Sequence, residues 1–258
     1  MFCFQCEQTA GGTGCSKRGV CGKEGSTCVL QDLVVHGLKG LSMYAHRARK
    51  FSGIDPEVDQ FTAFALFTTL TNVNFDDARF QTFLADTARL RDRAKDLYEE
   101  ACTKAGESPE VLGGPAIWFP APDLEGLVPP ARQASIPSRR DDLGEDVSSL
   151  QEFFTYGCKG LAAYAFHAAD LGKEDDSVYA FLHEALARLG DGEKDADALT
   201  GLCLKCGEIN IKAMELLDAG NTETFGHPEP TSVRVDPVKG QAILVSGHDL
   251  IDLKALLE

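Results

Sequence analysis

The strongest constraint on the fold is an internal repeat. Residues 30–48 read LQDLVVHGLKGLSMYAHRA and residues 150–168 read LQEFFTYGCKGLAAYAFHA, with nine of 19 positions identical at an offset of 120. Apolar or small residues fall at Leu30, Leu33, Val34, Gly37, Leu38, Leu41, Tyr44, Ala45 and Ala48. The same slots in the second copy hold Leu150, Phe153, Phe154, Gly157, Cys158, Leu161, Tyr164, Ala165 and Ala168. That i, i+3, i+4, i+7 stripe runs for about five turns, a period that only a helix produces. Both copies also carry G-x-x-G (Gly37/Gly40, Gly157/Gly160) inside the pattern. Each such glycine costs a helix roughly 0.5–1 kcal/mol against alanine, so its recurrence points to close helix–helix approach.

The repeat extends into flanking helices. Asp55-Pro56-Glu57 is a start signal, an N-cap aspartate before a proline at the first helical position. The helix it opens runs through Phe61, Phe64, Ala65 and Phe67 toward Leu70. Asp76 opens another, with Phe80, Phe83, Leu84, Leu90 and Leu97 at helical spacing, and residues 174–189 and 196–218 are the counterparts in the second copy. Ser148-x-x-Gln151 reads as a capping box for the second copy's first helix. The expected architecture is mainly α: two duplicated three-helix bundles at 26–112 and 148–225. A Pro/Gly-rich connector without regular structure (113–147) joins them.

The C-terminal stretch 226–258 changes character. Gln241-Ala-Ile-Leu-Val245 is a short apolar run, followed by Ser246-Gly247-His248-Asp249 and a helical pattern at Leu250, Leu253, Leu256 and Leu257. This predicts a buried strand Ala242–Val245, a tight turn and a helix: the first β-α unit of a truncated α/β, Rossmann-like domain. Ligands of open α/β sheets bind at the carboxyl ends of strands, where His248 stands. One βα unit cannot bury its own faces, so the chain reads as the front portion of a longer protein.

Residues 1–25 form a cysteine-rich loop with Cys3, Cys6, Cys15 and Cys21 in a C-x2-C-x8-C-x5-C array. An iron–sulfur cluster needs thiolates converging from several directions, and Gly11, Gly12, Gly14, Gly19 and Gly22 allow the backbone to wrap around it. Structural zinc is the rival, since C-x2-C is half of a zinc knuckle, although the second pair is spread as C-x5-C. Disulfides are disfavoured by nine cysteines, an odd count, and by the absence of a leader after Met1. Cys203-x-x-Cys206 lies on a helical pattern with no second pair and reads as structural. Cys28, Cys102 and Cys158 read as small buried residues. His36, His46, His167 and His183 read as packing or surface residues of helices, and His227 as part of a rigid Gly-His-Pro turn.

With 40 acidic against 25 basic side chains the net charge is −15, which argues against nucleic acid and anionic membrane surfaces as partners. No apolar run reaches the roughly 18 residues needed to span a bilayer. A reducing cytoplasm is the expected location.

The motifs MFCFQCEQT, GTGC, GVCGK, LKGLSMYAHRA, FTTLTNVNFD, NTETFGHPEPT and ILVSGHDL together resemble the hybrid cluster protein (prismane) family, and the resemblance covers essentially the whole chain. It implies a [4Fe–4S] cluster on Cys3, Cys6, Cys15 and Cys21, in the short-spacing class. It also implies that His248 ligates an iron of a hybrid [4Fe-2O-2S] cluster, whose other ligands, two glutamates and several cysteines, lie beyond residue 258. The activity it implies is reduction of hydroxylamine to ammonia, with nitric oxide as a second proposed substrate and the cubane relaying electrons. The implied partners are a small nitrogen-oxide substrate and a redox electron donor, with a monomer expected once the chain is complete. No catalytic residue is assigned within these 258 positions. The competing reading is a self-contained helical electron-transfer or interaction module with one cluster or a structural zinc.

Overall fold

The computed structural model describes every residue except His248. The first copy of the repeat forms α1 (Gly25–Arg49), α2 (Pro56–Thr68) and α3 (Asp77–Ala105). Asp55 and Asp76 cap α2 and α3 as their sequence signals demand. The Asp55 side chain accepts from the Glu57 and Val58 amides, and that of Asp76 from Ala78 and Arg79. After α4 (Leu124–Ala134) and α5 (Ile136–Leu143), the second copy forms α6 (Glu145–Asp170), α7 (Asp176–Gly190) and α8 (Ala196–Phe225). A short α9 (Leu250–Leu257) closes the described chain.

The helices pair differently from two separate bundles. α1 packs most extensively on α3 of its own copy and on α7 of the other, and α6 packs on α8 of its own copy and on α2 of the other. The middle helices are exchanged, so one apolar core draws Leu33, Leu38 and Phe80 from the first copy together with Phe154, Leu161 and Leu182 from the second. Stacked rings show the crossing directly: Phe166 of α6 lies 5.0 Å from Phe64 and 5.5 Å from Phe67, both on α2. A buried polar lock sits at the other crossing. His183 of α7 is fully buried, with Nδ1 3.0 Å from Ser42 Oγ of α1 and Nε2 2.9 Å from Asp59 Oδ1 of α2.

Three expectations are corrected. The segment 113–147 is largely ordered, with a 3-10 turn at Gly114–Ile117 followed by α4 and α5. Proline content suggested otherwise, yet Leu127 and Ala131, four apart, are completely buried and hold α4 against the core despite Pro129 and Pro130. The capping box does not form, because α6 starts four residues earlier, with Gly144 instead of Ser148 at its N-cap, and the φ of 81° at Gly144 breaks the chain from α5. Ser148 Oγ instead donates to the Glu145 carbonyl, and Gln151 Nε2 to that of Glu193. Finally, residues 242–245 form no strand, and Ile243 and Leu244 are 91% and 96% exposed. A lone extended segment has no ladder to join, and among the described residues there is no strand for it to pair with.

The two G-x-x-G motifs have diverged in use. A methyl group at Gly40 would fall 2.1 Å from the Pro115 carbonyl oxygen, so the connector's main chain rests directly on α1 there. Its repeat counterpart Gly160 faces open space. Gly40→Ala is therefore expected to destabilise the chain by about 1–3 kcal/mol through overpacking. Gly160→Ala should stabilise it by about 0.5–1 kcal/mol through helix propensity. Urea unfolding of the two variants beside wild type measures both signs.

Candidate metal centre

The N-terminal loop is fixed by its own main chain. Cys3 and Cys15 form an antiparallel bridge, Cys3 N donating to Cys15 O at 3.1 Å and Cys15 N to Cys3 O at 2.8 Å. Thr9 Oγ1 donates to the Cys3 carbonyl at 3.2 Å, bracing the turn between them. That turn needs glycine at position 14, where φ is 122° and a Cβ would lie 2.6 Å from the Phe2 ring. Phe2 in turn lies under the Arg140 guanidinium of α5 (5.1 Å), and Phe4 meets Tyr156 of α6 edge-on at 5.5 Å. The loop is thus anchored on the second half of the chain as well as on α1.

These constraints bring the four predicted thiols together. Cys3, Cys6, Cys15 and Cys21 line a single cavity of about 270 Å3, with Thr71 and Asn72 of the α2–α3 loop also on its wall. Asn72 holds a left-handed φ of 63°, a conformation asparagine tolerates better than most residues. Cys15 is buried, Cys3 and Cys6 are half-buried, and Cys21 is exposed at the rim. Among the described residues no three Cys, His, Asp or Glu side chains gather as a single metal ion requires. The four thiols surround a volume instead of a point.

The electrostatics favour thiolates, the form that binds metal. Cys3 is brought down to about 5, chiefly by a hydrogen bond from the Cys28 thiol, with the Gln5 amide and the Lys23 and Lys159 ammoniums adding to it against burial. Cys15 is drawn below the ordinary thiol value by the amides of Ala10 and Val20 and by Thr9; its Sγ lies 3.4 Å from Ala10 N. Cys28, buried, is pushed far up by its bond to Cys3 and by burial, so it remains a thiol, and it also donates to the Phe2 carbonyl at 3.4 Å. Lys23 is 1% exposed, its Nζ 2.6 Å from Gln31 Oε1. A donor set of four thiols with amide donors on one sulfur and buried cations beside another fits an anionic thiolate-bound cluster.

The sequence reading missed Cys28, Lys23 and Lys159 as neighbours of this centre. A thiol seven positions beyond Cys21 and a lysine repeated at position 39 were the available signals. The other cysteines stay apart: Cys206 accepts from the Cys158 thiol across α6 and α8 and packs on Gly157, as a structural pair does. His183 and His36 are packing residues, the latter edge-on to Trp118 at 5.7 Å. His248 lies outside the described residues.

The whole chain, residues 1–258, matches the model of the Prismane/CO dehydrogenase family. The chain belongs to this family. Proteins named hydroxylamine reductase from Rhodospirillum rubrum and Methanocella arvoryzae are 49% and 48% identical to it over all of this chain and 47% of their own length. One of that name from Halothermothrix orenii is 46% identical over 46% of its length. The chain therefore spans about half the length of the curated prismane-family relatives it matches. No helix among the described residues is long and apolar enough to cross a membrane.

Replacing Cys15 by Ser removes the most buried of the four thiols and the sulfur that accepts from the Ala10 amide. Cys15→Ser is expected to lose bound metal while keeping its helical far-UV circular dichroism, because the shared core takes nothing from residues 1–14. Metal analysis beside the dichroism spectrum checks both halves of that statement.

Proposed function

We propose that this chain is the cluster-bearing portion of an iron–sulfur oxidoreductase that reduces hydroxylamine to ammonia, with nitric oxide as the second candidate substrate. The observation that carries the reading is the single cavity walled by Cys3, Cys6, Cys15 and Cys21, in a chain whose full length matches proteins named for that activity. A [4Fe–4S] cluster held there supplies one-electron transfer. The chain's own residues do the rest. The Cys3–Cys15 bridge sets two ligands in place, and the Ala10 amide and Thr9 hydroxyl stand by the Cys15 sulfur. Lys23 and Lys159 offset negative charge at Cys3, and the Phe2 and Phe4 rings that flank it in sequence lie 5.3 Å apart. The exposed rim at Cys21 is where a redox donor approaches.

His248 is proposed as an iron ligand of the hybrid [4Fe-2O-2S] cluster, whose other ligands belong to the part of the relatives' length that this chain does not span. Substrate reduction then occurs at that second centre, and the chain described here delivers electrons to it.

Anaerobic reconstitution followed by iron and acid-labile sulfide analysis tests the first half. About four of each per chain is expected, whereas about one zinc with no sulfide supports the structural-zinc alternative. For the second half, hydroxylamine consumption by the protein carrying both halves, driven by a viologen reductant, is expected to fall to background in Cys15→Ser. Undiminished turnover in that variant overturns the relay role.

A further inference from the structure

A second buried polar site lies behind the cysteine loop, and the repeat built it. Asp32 and Lys39 of α1 have repeat counterparts Glu152 and Lys159 on α6, each at the same offset of 120. The packing brings all four side chains around one enclosed cavity of about 30 Å3, enough for one water molecule. Lys39, Glu152 and Lys159 are 8%, 4% and 2% exposed. Glu152 is ion-paired with Arg139 of α5, and Lys159 Nζ donates to the Thr69 carbonyl at the end of α2, 3.2 Å away. Asp32 Oδ2 is buried and has no hydrogen-bond partner.

Burying this many charges where apolar side chains would pack is costly unless each is paired. Both copies of the repeat nevertheless keep an acid and a lysine at these positions. The cage also adjoins the thiol centre: Lys159 Nζ lies 5.8 Å from the Tyr156 ring, whose edge meets Phe4 beside Cys3, and Thr69, which accepts from Lys159, is two residues before Thr71 on the wall of the cysteine cavity.

We infer that the Asp32–Glu152–Lys39–Lys159 cage is a redox-linked proton site, taking up one proton from water when the centre held at Cys3 gains an electron. This rests on the reading of the cysteine cavity as a cluster site. The balance is simple. One electron arrives from a low-potential reductant, one proton arrives from solvent, and the only bond formed is O–H at the Asp32 carboxylate, whose Oδ2 is buried without a partner.

The local groups are poised for it near neutrality. Burial, with Glu152 adding to it, pushes Asp32 up to about 7, while burial and Arg139 bring Lys39 down to about 7. Burial also lowers Lys159, and it lowers His36, on the same wall of α1, to about 4, so that imidazole stays neutral. Thr155 of α6 and the Ala134 end of α4 complete the wall without charge. Lys159 and Arg139 oppose Glu152 at the Asp32 carboxyl. Added negative charge at Cys3 raises the affinity of Asp32 for a proton. Below about pH 7 the proton is already present and reduction takes up none. Above it, reduction and protonation are linked.

The test is an EPR-monitored potentiometric titration of the reconstituted chain between pH 6 and 9, with dithionite as reductant. The expected wild-type midpoint is level below about pH 7 and falls above it, at most by the one-proton, one-electron slope of about 59 mV per tenfold change in proton activity. Asp32→Asn, with iron and sulfide content unchanged, is expected to be level throughout. Should that variant fail to load, Asp32→Ser gives the same reading. Reduced-minus-oxidised infrared spectra of wild type give an independent one, a carboxylic acid band that appears on reduction and shifts in D2O. A loaded wild type with a level midpoint, or variants that keep the slope, overturns this inference alone. A chain that takes up neither iron nor sulfide overturns the cluster reading and this inference with it.

Discussion

Everything else in the molecule depends on the contact between α1 and α7, because it is there that the two copies of the repeat become one body. His183 is the pin. Fully buried, it bridges Ser42 of α1 and Asp59 of α2, while Arg49 of α1 pairs with Asp59 and with Asp176 at the start of α7, both at 2.5 Å. Burial pushes Asp59 up, but His183 and Arg49 together hold it below the usual carboxylate range. Breaking a buried pair of this kind costs roughly 3–5 kcal/mol, so this crossing has few alternatives available to it.

The exchange also places the cysteine centre. Had each copy packed only on itself, α6 would not lie against α2, and Lys159 would not reach the Thr69 carbonyl two residues before Thr71 on the cavity wall. As built, the loop rests on α5 and α6 through Arg140 and Tyr156, while Thr27 and Gln31 of α1 tie its base to Asp77 and Asn74 of the first copy. The thiol cavity is therefore housed by both halves. Of its two cations, Lys159 comes from the same repeated positions as the charge cage behind it.

Much of this was legible in the sequence. The apolar stripe gave the helices, Asp55 and Asp76 gave two caps, and the cysteine spacing gave four residues that do share a cavity. What the stripe could not give is the identity of the partner. A buried face says that something covers it, and both a self-contained bundle and an exchanged one satisfy the same pattern. The charged cage was missed for a related reason. The repeat was read through its apolar slots, whereas Asp32/Glu152 and Lys39/Lys159 are polar positions held in both copies, and that coincidence was the signal. The connector was misread because Pro129 and Pro130 outweighed Leu127 and Ala131, and the strand because an apolar run needs a neighbour before it becomes one.

The crossed pairing of helices also has a kinetic meaning. Ser42 and His183 are 141 positions apart, so α1 cannot bury its second face until α7 has been synthesised. At a translation speed of about 5–20 residues per second that is a wait of roughly 7–28 seconds, during which α1 has only α2, α3, the Gly114–Ile117 turn and α4 to pack on. High contact order of this sort slows folding. Nascent chains must pass through an interval in which the side of α1 that meets α7, with Met43 against Gly190, lacks its cover.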